Sequence, residues 1–132
     1  MRSKLLSLFA MFAVVLTVSG PVFAHHGNAA YETTISVTVK GTVTAFWFIN
    51  PHTRFYLDVK DDKGNIEQWQ GEMGPPTMLA HRGWGKNSLK PGDQITVTGH
   101  RAKNGSNSII PQRIVLSTGE ELLKGGRGGD EY

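Results

Sequence analysis

A proline set between two alternating runs constrains the fold of this chain more than any other feature. Residues 41–49 read Gly-Thr-Val-Thr-Ala-Phe-Trp-Phe-Ile, and Asn50-Pro51-His52 interrupts them. Phe55, Leu57 and Val59 then alternate with Arg54, Tyr56, Asp58 and Lys60. Proline has no N–H for a sheet ladder and biases the residue before it toward extended backbone, so one strand stops or swerves at Asn50 and a second follows. Upstream, Ile35, Val37, Val39, Val43, Ala45, Trp47 and Ile49 share one parity, and Ser36, Thr38, Lys40, Thr42 and Thr44 take the other. That is the pattern of a half-buried strand, with Gly41 as a bend or bulge. On this count Phe46 and Phe48 point outward, as does Tyr56 of the next strand.

Asp61-Asp62-Lys63-Gly64-Asn65 is a turn cluster, and residues 66–73 return as a third strand carrying Trp69. Gly74-Pro75-Pro76 breaks the pattern and opens a short helix through Met78 and Leu79, ending at Gly83. After the turn at Leu89-Lys90-Pro91-Gly92-Asp93, Ile95, Val97 and Gly99 mark a fourth strand. Ile110, Ile114, Val115 and Leu116 mark a fifth, which Pro111 makes an edge or bulged strand. Three strands, a helix and two strands, with the first strand bent, predict a mainly β chain forming one five-stranded OB-like Greek-key barrel. A plain β-sandwich is the rival and would not need the helix. The barrel is expected over residues 35–117, preceded by an arm (residues 25–34) and followed by a flexible Gly-rich tail (residues 118–132).

Residues 1–24 are expected to be a secretory signal peptide. Arg2 and Lys4 precede an apolar run from Leu5 to Val18 that only Ser7 and Thr17 interrupt, and Ala24 offers the cleavage site, although Phe23 is bulky and Val22 stands where alanine is usual. The run falls short of the ~18–20 apolar residues of a membrane span. The expected location is therefore periplasmic or secreted, with no membrane span after cleavage. Without Arg2 and Lys4 the 14 Lys+Arg become 12, against 11 Asp+Glu, so the mature charge is near zero and nucleic acid is not an expected partner. The chain has no cysteine, which excludes disulfides, thiolate metal sites and cysteine nucleophiles.

Several short motifs in fixed order resemble a family of small exported bacterial proteins of unknown function. They are His25-His26, Gly41-Thr42-Val43, Asn50-Pro51-His52, Arg82-Gly83-Trp84 and Leu89-Lys90-Pro91-Gly92-Asp93. The resemblance runs from about His25 to Leu116. It implies a periplasmic or secreted β-barrel and brings no activity, substrate or cofactor with it.

Three constellations carry the chemistry. If cleavage follows Ala24, the free amine and imidazole of His25 can chelate a divalent metal with His26, and His52 is the third ligand to consider. Nitrogen donors suit copper, zinc or nickel, and copper lies highest in the stability order. Residues 25–34 can reach up to ~35 Å when extended, so distance selects no partner. The structural alternative is a histidine pair that merely follows the cleavage site and a His52 bonded to its turn. The second constellation is Phe46, Phe48 and Tyr56 with Asn50 beside them, a ligand-binding set on the part of an OB barrel that holds oligomers. Cover by the arm or the tail is the alternative given precedence here, and a glycan, a peptide or a small apolar molecule is the ligand class that fits. The third is basic: residues 82–113 hold Arg82, Lys86, Lys90, Arg101, Lys103 and Arg113 against Asp93 alone. This is either an anion-binding face or the solvated side of strands.

Enzyme signatures are thin. Asp58, Asp61 and Asp62 lie in and beside a turn, and Ser106 and Ser108 have no base that the sequence positions. The expectation is an exported binding module without catalytic residues, taking a small ligand, a metal ion or an envelope protein. Its alternative is a metal-independent interaction or envelope-stress accessory domain using the outward aromatics and the basic face.

Overall fold

The computed structural model describes residues 30–123. Its elements are β1 (Tyr31–Trp47), β2 (Arg54–Lys60), β3 (Ile66–Glu72), α1 (Pro76–Ala80), β4 (Gln94–Ala102), β5 (Ser108–Leu116) and β6 (Glu121–Leu123). The long β1 serves two neighbours. Its residues 36–42 pair antiparallel with β4, and residues 41–47 pair antiparallel with β2. Gly41 is the pivot, opposite Val59 on one side and Ile95 on the other. A Cβ there would lie 2.7 Å from the Asp58 carbonyl oxygen, so the coil of the strand around the barrel needs glycine.

The sheet runs β3-β2-β1-β4-β5-β6, and a short parallel pairing of β3 with β5 (Gln70 with Ser108, Gly71 with Ile109) closes five strands into a ring. This is the OB-like arrangement expected from the strand order, with α1 between β3 and β4. The interior is filled from every strand, by Val43, Phe55, Leu57, Trp69, Ile95, Val97 and Ile114 among others, and Leu79 of α1 with Trp84 and Leu89 join the same cluster. Arg101 lies over the Trp69 ring at 4.9 Å and bonds Ser106 O, Gly105 O and Asn107 Oδ1, which fixes the β4–β5 loop at the closing seam. At the β2–β3 turn, Asp61 accepts hydrogen bonds from Lys63 N, Asn65 N and Asn65 Nδ2. The Asn65 side chain is the chief reason that its carboxyl sits below the usual Asp range.

Two boundaries differ from the expected ones. β1 starts at Tyr31, inside the expected arm, because the buried Tyr31 ring is held by a 2.9 Å bond between its hydroxyl and that of Ser108. The sixth strand falls in residues expected to begin the tail. Gly119, at a φ of 88°, turns the chain so that Leu116 N bonds Glu120 O, and Glu121–Leu123 folds back onto β5. Leu123 is thereby buried, and Arg113 Nε meets Glu121 Oε1 at 2.9 Å.

The alternation of β1 changes phase. Val43 pairs with Leu57 and Ala45 with Tyr56, so β1 advances two residues while β2 advances one, and Thr44 is the extra residue of a β-bulge. One inserted residue exchanges the two faces of everything after it. Phe46 and Phe48, expected outward, therefore pack against the core, and Trp47 and Ile49, expected inward, are 48% and 57% exposed. Ile35, the first of the expected inward series, is also exposed, in the irregular stretch between the Tyr31 and Ser36 pairings.

Candidate ligand-binding face

Cross-strand register places the outward residues of β1, β2 and β3 in rows. Trp47 lies opposite Arg54, and Arg54 opposite Glu72. Ala45 lies opposite Tyr56, and Tyr56 opposite Gln70. Asp58 and Gln68 follow, then Lys60 and Ile66. The Trp47 and Tyr56 rings meet edge to face with centroids 4.8 Å apart, a geometry that aligns the positive edge of one ring with the negative face of the other. Trp47 is thus held in place while about half of it faces solvent. An open groove of about 430 Å³ runs along this strand end between Phe46, Trp47, Phe48, Ile49 and Lys86.

The corner beside these rows carries His52. Its Nδ1 lies 2.7 Å from Glu72 Oε1, and Arg54 Nη2 approaches the other oxygen of Glu72 at 3.5 Å. The His52 side chain is 41% exposed, so the pairing leaves the rest of the ring open to a ligand. Asn50 is exposed at the same corner, and Thr53, next in the chain after His52, is fully buried and joined to Met73 and Gly74 through its backbone. The corner is consequently anchored on one side and open on the other.

Of the aromatic residues expected to bind a ligand, Tyr56 takes its expected face. Phe46 and Phe48 stack on each other at 6.1 Å, and Phe46 stacks on Trp84 at 6.2 Å, on the core side. Trp47 replaces them. Only the bulge could have revealed it, and Thr44 gives no residue-level sign of one. His25 and His26 lie outside the described residues, and among the described residues no three His, Cys, Asp or Glu groups are placed to hold a metal ion. Arg113 is tied to Glu121, Arg101 to the β4–β5 loop, and Lys86 borders the aromatic groove. Among the described residues no helix is long and apolar enough to cross a membrane.

A family model described as a family of unknown function (DUF6152) matches residues 13–110. No curated protein matches the chain. Among solved structures, the crystal structure of TiaS in complex with tRNA and ATP is similar at 23% identity and a TM-score of 0.45, over 61% of this chain and 18% of that one. The mitochondrial single-stranded DNA binding protein Rim1 from S. cerevisiae is similar at 13% identity and a TM-score of 0.47, over 70% of this chain and 96% of that one. Likenesses this distant carry no ligand from those proteins to this chain.

Proposed function

The chain belongs to the DUF6152 family of unknown function, and from that premise we propose that it is an exported binding module that holds its ligand on the outer face of β1, β2 and β3 beside the Asn50-Pro51-His52 corner. Export rests on the basic, apolar and small-residue layout of residues 1–24. One observation carries the binding reading: Trp47 stands half in solvent, braced by Tyr56 on the outside of the barrel. Full burial of a large apolar side chain is worth about 1.5–3 kcal/mol, so leaving half of this ring exposed forfeits roughly half of that, and a ligand that covers the ring recovers part of it.

The test uses the spectroscopy that the chain itself supplies. Trp69 and Trp84 are buried, so Trp47 should account for most of the acrylamide-quenchable tryptophan emission. Trp47→Phe is expected to remove most of that quenching. In a screen of sugars, peptides and nucleotides, a true ligand should shield Trp47 in the parent protein and shift the amide resonances of Arg54 and Gln70. Ligand-induced shifts confined to other strands would defeat the proposal.

A second reading, divalent metal binding with copper ahead of zinc, is favoured by the His52–Glu72 pair. Histidines that bind metals commonly donate their other ring N–H to a carboxylate, which fixes the tautomer and turns a lone pair outward. With Nδ1 donating to Glu72, Nε2 of His52 is the free donor, and His25 and His26 of the mature chain would complete the set. Cu(II) titration of mature, tag-free protein should show nitrogen ligation, and His52→Ala should weaken it about tenfold or more. Intact mass decides the rest: a mature start anywhere but His25 removes the amine chelate.

A further inference from the structure

We infer that the ligand of this face is a neutral oligosaccharide, an assignment that rests on the binding face proposed above and adds its chemical class. A pyranose ring is amphipathic in one particular way. Its C–H face is apolar enough to lie on an aromatic ring, and its rim carries hydroxyls that each donate and accept. The face meets both requirements. Trp47 supplies the platform, and Tyr56, in a T-shaped contact with centroids 4.8 Å apart, holds it.

Beside the platform stand side chains suited to hydroxyl pairs. Gln70 lies across from Tyr56 and Gln68 across from Asp58, and each amide offers both an acceptor and two donors. Arg54 and Glu72 are directly opposed, and although the Glu72 oxygens already meet His52 and Arg54, the pair adds charged donor and acceptor groups at the end of the row. Outward residues repeat about every 6.6–6.8 Å along each strand, and the strands lie about 4.8 Å apart, so the rows form a shallow track on which an extended chain of rings can lie.

Charge selects against the competing polymers. The outward positions of β2 and β3 include two bases, Arg54 and Lys60, and two acids, Asp58 and Glu72, and Arg54 is already beside Glu72. Polyanion binding draws its affinity from bases in excess that displace counterions, and the rows of β2 and β3 have none in excess; Lys86 and Lys40 stand at the borders of the face. An acidic glycan or a nucleic acid would meet Asp58 and Glu72 in the middle of these rows, whereas an uncharged glycan meets no such repulsion.

The experiment is affinity electrophoresis followed by titration calorimetry on the mature protein. The probes are soluble neutral polysaccharides (a β-glucan, an α-glucan and a xylan), one acidic polysaccharide and a single-stranded oligonucleotide. At least one neutral polysaccharide should retard the protein and do so equally at low and high salt. Trp47→Ala should weaken that binding about tenfold or more, Trp47→Phe should retain most of it, and Gln70→Ala should weaken it severalfold. Neutral-glycan binding that Trp47→Ala and Gln70→Ala leave unchanged overturns the inference. Salt-sensitive binding of the oligonucleotide or the acidic glycan that shields Trp47, without neutral-glycan binding, overturns the sugar class and leaves the binding face standing. If no probe of any class shields Trp47, both the class and the face are overturned.

Discussion

Gly99→Ala is expected to destabilise the barrel by about 3 kcal/mol or more, at the upper end for an overpacked interior. Gly99 is buried in β4 at a second bulge, where Thr98 pairs with Arg113 and Gly99 with Pro111, leaving Gln112 as the extra residue of β5. A Cβ on Gly99 would lie 2.1 Å from the Ile110 carbonyl oxygen and 2.8 Å from Pro111 Cα. Both are backbone atoms, so no side-chain rotation relieves the clash, and β4 and β5 must separate or shift register. For a domain of this size the penalty corresponds to a fall in Tm of about 12 °C or more. Thermal melts followed by circular dichroism check it. A variant that melts within a few degrees of the parent would mean that the bulge can relax, contrary to the tight approach seen here.

Phe55→Ala is expected to cost about 3–5 kcal/mol, the range for emptying a buried aromatic site. Phe55 is fully buried opposite Phe46 on one strand and Gly71 on the other. Its ring lies across Gly71 so closely that a Cβ there would come within 1.9 Å of Phe55 Cζ. The absent side chain of β3 is therefore part of the packing of β2. Gly71→Ala should destabilise the parent strongly and the Phe55→Ala protein little, because the ring that forbids the methyl is gone. Urea denaturation of the four proteins should give a coupling of about 1–3 kcal/mol. Penalties that simply add would show that the two residues do not share this space.

What the sequence disclosed and what it hid follow the range of the interactions involved. The β2–β3 hairpin was legible because Asp61, Gly64 and Asn65 carry local turn chemistry, and they form the turn as read. Pro75-Pro76 likewise announced α1 from its own restricted backbone. The strand order and the closed ring followed from alternation and from the place of the helix. The bulge at Thr44 did not, because a β-branched threonine is an ordinary strand residue and the extra step is visible only against β2. That single omission inverted the aromatic face, so Tyr56 lies outward as expected while Trp47, expected inward, is exposed. The Glu72 partner of His52 is twenty residues away in the chain and adjacent only through register. β6 is three residues long, too short to show a period, and sits beside a glycine-rich stretch that reads as tail.

The Thr44 bulge also bears on how this surface can change over generations. In most sheets a solvent-facing ring is altered by exchanging one codon for another. Here the choice between Phe-x-Phe and Trp-x-Ile at the barrel mouth is made by a backbone count a few residues upstream. Losing or gaining one residue there would exchange the whole set in a single step, leaving the letters of the strand end untouched. The variation that retunes this face is therefore as readily an in-frame insertion or deletion as a substitution.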